Sequence, residues 1–215
     1  EWYVQKNEKN WRTSVDREVN AVRSSVGFCD VYTLGKIDIQ GKDALSFINK
    51  IYCNGFAKIA IGKVRYGLML REDGLVMDDG TTARMSENHF IMTTTTLNAE
   101  SVYRHLEFCH QCLWPELDVQ LISTTDAWSQ IAIAGPNSRK IISKIVDSDF
   151  DVSNEKFPFM ACAVVTICKG IRARLFRISF SGELAYELSV PTQYSCSLIS
   201  YLMEIGKEEN ITPYG

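Results

Sequence analysis

Two carboxylate-bearing stretches put their charge where chemistry could use it. In Glu72-Asp73-Gly74-Leu75-Val76-Met77-Asp78-Asp79-Gly80, Asp73 is explained by the turn it forms with Gly74. Asp78 and Asp79 instead interrupt a strand, where Asp is unfavourable, and Gly80 behind them points to a bulge or a close backbone approach. Neighbouring strand residues face opposite ways, so only one carboxylate of the pair can enter a site. The stretch reads either as a second polar turn or as a carboxylate held at a bulge and facing a cleft. In Ser181-Gly182-Glu183-Leu184-Ala185-Tyr186-Glu187, Glu183 reads as a turn residue. Glu187 alternates with apolar neighbours and points either to solvent or into a polar pocket.

Two other groupings are weaker. His105, Cys109 and Cys112 share one helix face, and with His110 their spacing resembles a zinc ligand set. A tetrahedral site usually draws on two separate elements, and the sequence offers no second such pair. Leu106, Phe108 and Leu113 around them make a structural cluster at a core-facing helix end the preferred reading, and no metal is expected. Thr93-Thr94-Thr95-Thr96 suits a strand and could offer hydroxyls to a ligand. No dinucleotide fingerprint, phosphate loop, nucleophile elbow or metalloprotease motif occurs.

The elements that carry these residues repeat. Ile37-Asp38-Ile39-Gln40-Gly41 and Ile131-Ala132-Ile133-Ala134-Gly135, 94 residues apart, are alternating strands ending in Gly. Each leads into an amphipathic helix, and the offset holds through Lys50 and Lys144. Downstream, at an offset of 96, the strand from His89 leads into a helix over Ala99–Cys109, and the strand from Ala185 into one over Tyr194–Ile205. Hairpins lie between, with turns at Asp73-Gly74 and Lys169-Gly170. The order predicts two βαβββα copies and an α+β fold with largely antiparallel sheets. Residues 37–118 form the first repeat and 119–215 the second. Residues 1–36, with a helix near Val15–Ser24, form an N-terminal segment packing on the second repeat.

Composition sets the outer bounds. The 215 residues are 46% hydrophobic and 23% charged, globular proportions with enough chain for a real core. A net charge of −3 without a basic stripe makes nucleic acid a poor partner. The longest apolar stretch, around Met160–Cys168, falls far short of the roughly 20 residues of a membrane helix, so no membrane is expected either. Seven Cys, an odd number mostly in apolar segments, read as buried thiols of a cytoplasmic protein. The first residue is not Met and the last turn stops at Pro213-Tyr214-Gly215, so both ends read as cuts from a longer chain.

The stretch Tyr66–Gly80 resembles the hairpin of the folate-binding aminomethyltransferases, the T-proteins of the glycine cleavage system. Ser179–Glu187 resembles that family's second motif. Within the superfamily, the blocks Asp16–Phe28, Thr33–Asp38, His105–Val119, Phe176–Leu188 and Ile211–Gly215 resemble the alpha-subunit branch of heterotetrameric sarcosine oxidases. The resemblance covers nearly the whole chain. It implies the two repeats of a three-domain fold whose C-terminal barrel is absent here. It also implies a tetrahydrofolate site in which Asp79 is the catalytic carboxylate, Glu187 grips the pterin, and Tyr66, Thr95 and Phe180 line the ligand. Thr95 is an approximate match to a family Asn, and Phe180 replaces a Tyr, keeping a stacking face but not the hydroxyl.

FAD, FMN and NAD are implied only for the full complex, outside these residues, with beta, gamma and delta subunits as partners. The isolated chain is expected to be inactive and prone to self-association. The function implied is oxidative demethylation of sarcosine to glycine, with transfer of the one-carbon unit to tetrahydrofolate and release of hydrogen peroxide. The alternatives are an aminomethyltransferase acting on a lipoyl carrier and a non-catalytic folate-binding module.

Overall fold

In the computed structural model, residues 4–215 are described, so the first three residues of the expected N-terminal segment lie outside them. The chain divides into two compact units. One holds residues 32–128 with Met160–Ala163; the other holds residues 4–31, Ser129–Phe159 and Val164–Gly215.

The chain enters through α1 (Trp11–Ser24), whose start is fixed by the Asn10 side chain accepting from the Thr13 N–H at 3.0 Å. The helix therefore begins four residues earlier than the expected Val15. The short strand β1 (Gly27–Asp30) follows and was not expected. Its alternation is too brief to be told from a loop.

The unit built on the first repeat runs β2 (Gly35–Gln40), α2 (Ala44–Ile51), β3 (Lys63–Leu70), β4 (Val76–Ser86), β5 (His89–Thr94) and α3 (Ala99–Phe108). A π-helical turn, Cys109–Leu113, prolongs α3, and β6 (Gln120–Ser123) closes the unit. The sheet order is β3-β4-β5-β2-β6, antiparallel throughout its registers. The helices cover one face, where Ile37, Ile39, Met69, Phe90 and Met92 meet Phe47, Ile48, Val102 and Leu106.

The second repeat runs β7 (Trp128–Ala134), α4 (Ser138–Ile145), β8 (Cys162–Ile167), β9 (Ile171–Phe176), β10 (Ala185–Pro191) and α5 (Ser195–Ile205). The short β11 (Thr212–Pro213) ends the series. The sheet order is β11-β1-β7-β10-β9-β8, so the repeat strands appear in the same order as in the first sheet. β1 pairs antiparallel with β7 and parallel with β11.

The 94-residue offset survives in the packing. α2 buries Ala44, Phe47, Ile48 and Ile51, and α4 buries Ser138, Ile141, Ile142 and Ile145, the same positions of the same turn pattern. Gly41 and Gly135, before these helices, have φ of 134° and 128°, which side-chain-bearing residues rarely adopt.

Two local expectations need correction. β4 runs unbroken through Asp78 and Asp79, and the register shift lies between Met69 and Leu70 rather than at Gly80. Gly80 marks the close approach instead, since a Cβ there would sit 2.0 Å from the Thr93 carbonyl oxygen. Of the seven cysteines, all free thiols, only Cys109 and Cys162 are buried. Cys53, Cys112 and Cys196 are exposed, because each falls on the solvent side of its element or in a loop.

Candidate functional site

The β3–β4 hairpin sorts the two aspartates. Asp78 stands opposite Met69, a core residue under the helices, and Asp79 stands opposite Leu68 on the other face. Asp78 is accordingly buried, 3% exposed. Its Oδ1 accepts from the Thr95 hydroxyl at 2.6 Å and the Asn98 amide at 3.1 Å, and its Oδ2 from the Thr95 N–H at 3.1 Å. Asp78 thus ties β4 to the loop that leads from β5 into α3.

Asp79 is half-buried, and its Oδ2 accepts from the Tyr66 hydroxyl at 2.7 Å. That bond to a carboxylate holds the Tyr66 phenol above the usual tyrosine range. Tyr66 itself is half-exposed. Beside this pair, Thr81 and Thr93 exchange hydroxyl contacts at 2.8 Å across the strands. The structure thus joins Tyr66 to Asp79 and gives Thr95 to Asp78.

In the other unit, Glu187 sits half-buried on β10, and its Oε2 accepts from the Gln130 side-chain amide on β7. Phe180 is fully exposed in the loop after β9, at the edge of a hollow of about 270 Å³ shared with Val15, Val19 and Tyr214. Glu183 lies at a bend and pairs with Arg23 at 2.9 Å, in keeping with a turn residue. Burial, then the charges of Cys29 and Glu187, push the Tyr214 phenol up to about 12.

The His/Cys cluster lines a groove of about 600 Å³ with Trp114, Phe108 and Lys50. Cys109 Sγ lies 3.6 Å from His105 Nε2, while Cys112 is exposed. Burial depresses the imidazole of His105 and raises the thiol of Cys109, so both are neutral near pH 7. Among the described residues, no group of three or more His, Cys, Asp or Glu is placed to hold a metal ion.

Asn98 and Gln130 are polar partners that reading the sequence did not single out. Gln130, the lone amide in Trp128–Ala134, carried a signal: a polar residue inside an apolar strand needs a partner.

Two βαβββα repeats carrying carboxylates on their strands define a folate-enzyme class of fold, and the chain belongs to the family described as the GCVT N-terminal domain, whose model matches residues 1–215. Among individual proteins it is similar to sarcosine oxidase subunit alpha of Rhizobium meliloti (strain 1021), 56% identical over 215 residues. That match covers 100% of this chain and 22% of the relative, so the chain spans about a fifth of its length.

Two solved structures share the fold. The glycine cleavage system aminomethyltransferase T from Bartonella henselae overlaps with a TM-score of 0.77 at 22% identity, covering 93% of this chain and 50% of that one. A chain of the heterotetrameric sarcosine oxidase from Corynebacterium sp. U-96, in complex with pyrrole 2-carboxylate, overlaps with a TM-score of 0.66 at 12% identity. The match covers 95% of this chain and 96% of that one. No helix among the described residues is long and apolar enough to cross a membrane.

Proposed function

We propose that this chain is the folate-handling part of a sarcosine oxidase alpha subunit, in which the one-carbon unit from oxidative demethylation of sarcosine is passed to tetrahydrofolate. Identity of 56% across the whole chain supports the sarcosine oxidase branch over an aminomethyltransferase proper. In this reading glycine and hydrogen peroxide are the other products. FAD, FMN and NAD chemistry belongs to the remainder of a cytoplasmic complex with beta, gamma and delta subunits.

The observation that carries the reading is the Tyr66–Asp79 pair, a carboxylate on the outward face of a strand whose neighbour, Asp78, is taken up by the fold. The residues suit a reduced pterin. Asp79 and Glu187 accept only when ionised, whereas a pterin's 2-amino and N3–H groups donate. Phe180 presents an exposed ring face. Tetrahydrofolate, when bound, supplies the nitrogens that take up the one-carbon unit.

The chain's own part is electrostatic. Asp79 stabilises the positive charge that develops when an imine accepts a nucleophile, or takes the proton that the attacking nitrogen sheds. The Tyr66 hydroxyl fixes the carboxylate's orientation while doing so. Glu187 grips the donor edge with charge-assisted bonds.

The test uses the full-length complex supplied with sarcosine and tetrahydrofolate. Asp79→Ala lowers the yield of methylenetetrahydrofolate per sarcosine about a hundredfold, with formaldehyde released in its place. Product partition unchanged in Asp79→Ala overturns the reading. If Asp78→Ala diverts the product and Asp79→Ala does not, the assignment of facing is off by one residue.

A further inference from the structure

Gln130 is the least exposed polar side chain of its strand, 1% accessible, flanked by Ile131 and Ile133 that are equally buried. A primary amide in such a place must hydrogen-bond, because burying its donors unpaired is costly. Its Nε2 donates to Glu187 Oε2 on the adjacent strand β10. We propose that Gln130 is a positioning residue that sets the plane of the Glu187 carboxylate for a ligand edge of N–H donors; this rests on the reading of Glu187 given above.

The chemistry of the partner matters. A Lys or Arg in this place would orient the carboxylate but also neutralise it. A neutral amide fixes the carboxylate through one directional bond and leaves its negative charge for the ligand. Gln130 is well suited to the task because β7 lies inside the sheet, between β1 and β10, so its backbone is held on both sides. Surroundings are dry at this end of the unit: Ser189 and Tyr186, on the same strand as Glu187, are 2% and 0% exposed. In such a setting a misaligned carboxylate is not rescued by water, and a directional contact to a charged group is strengthened. The recognised class is a planar heterocycle presenting two adjacent N–H donors.

The test is a double-mutant cycle in the full-length complex, read by calorimetric titration with tetrahydrofolate. Gln130→Met, similar in length and apolar, weakens binding about tenfold, as does Glu187→Gln. Combined, the two weaken it no more than Glu187→Gln alone, because Gln130 acts only through Glu187. A role in packing alone would add its loss in the Glu187→Gln background too, and that additivity overturns the proposal. Wild-type affinity in Gln130→Met with weakened binding in Glu187→Gln overturns it while sparing the reading of Glu187. Wild-type affinity in Glu187→Gln overturns that reading itself. Should Gln130→Met fail to fold, Gln130→Asn, one methylene too short to reach Glu187, takes its place with the same outcomes.

Discussion

Asp78 and Asp79 differ by one bond along the chain and by everything in their surroundings. Asp78 accepts three hydrogen bonds from the loop before α3, so Asp78→Ala leaves the Thr95 N–H, the Thr95 hydroxyl and the Asn98 amide without their acceptor. The expected cost is about 2–4 kcal/mol in denaturant unfolding, against about 1 kcal/mol or less for Asp79→Ala. Equal losses would mean that Asp78 is not the structural member of the pair. Tyr66 offers a check that leaves stability aside. Its phenol donates to Asp79 and ionises above the ordinary 10.0, so the pair persists through pH 10 and is lost only as pH rises through the raised value. The Tyr66 phenolate, read as the absorbance difference from Tyr66→Phe, therefore emerges at higher pH than free tyrosine. Asp79→Asn brings it back down.

At the scale of elements, the duplication makes quantitative statements in pairs. Ile48 on α2 and Ile142 on α4 are both 0% exposed at equivalent positions, so Ile48→Ala and Ile142→Ala each cost about 2–5 kcal/mol in unfolding experiments. A large loss in one and none in the other would break the equivalence of the helices. Gly80 tests the strand pairing beside the site. A methyl group there meets the Thr93 carbonyl oxygen at 2.0 Å, backbone that cannot swing away, so β4 must separate from β5. Gly80→Ala is expected to destabilise by about 2–4 kcal/mol and to speed amide exchange along both strands, Thr81 to Ala83 first.

For the molecule as a whole, exposed apolar surface guides the expectation. Trp11, Val15 and Val19 follow one another at four-residue intervals along α1 and are 60%, 42% and 50% exposed, with Phe180 fully exposed in the same unit. Produced as residues 1–215 alone, the chain is expected to self-associate in a concentration-dependent way. Light scattering of the Trp11→Ser, Val19→Ser double variant should show the smaller species. A strict monomer in the unsubstituted chain removes the basis of this expectation. The same preparation should be colourless and should not oxidise sarcosine; a bound flavin spectrum would contradict the placing of that chemistry elsewhere.

The repeat, its element order and the antiparallel hairpins were written in the sequence because each depends on local periodicity: two-residue alternation, helical spacing and Gly at turns. The offset between Gly41 and Gly135 was legible for the same reason, and backbone geometry confirms it. That only one of Asp78 and Asp79 faces outward also followed from strand geometry, and the choice of Asp79 rested on family resemblance. What tertiary structure decided was partnership. Register set Asp78 opposite Met69 and Asp79 opposite Leu68, the β5–α3 loop brought Thr95 to Asp78, and strand order placed Gln130 beside Glu187, 57 residues away in sequence. Local pattern can say that a buried amide or carboxylate needs a partner; only the order of strands in the sheet says which residue it is.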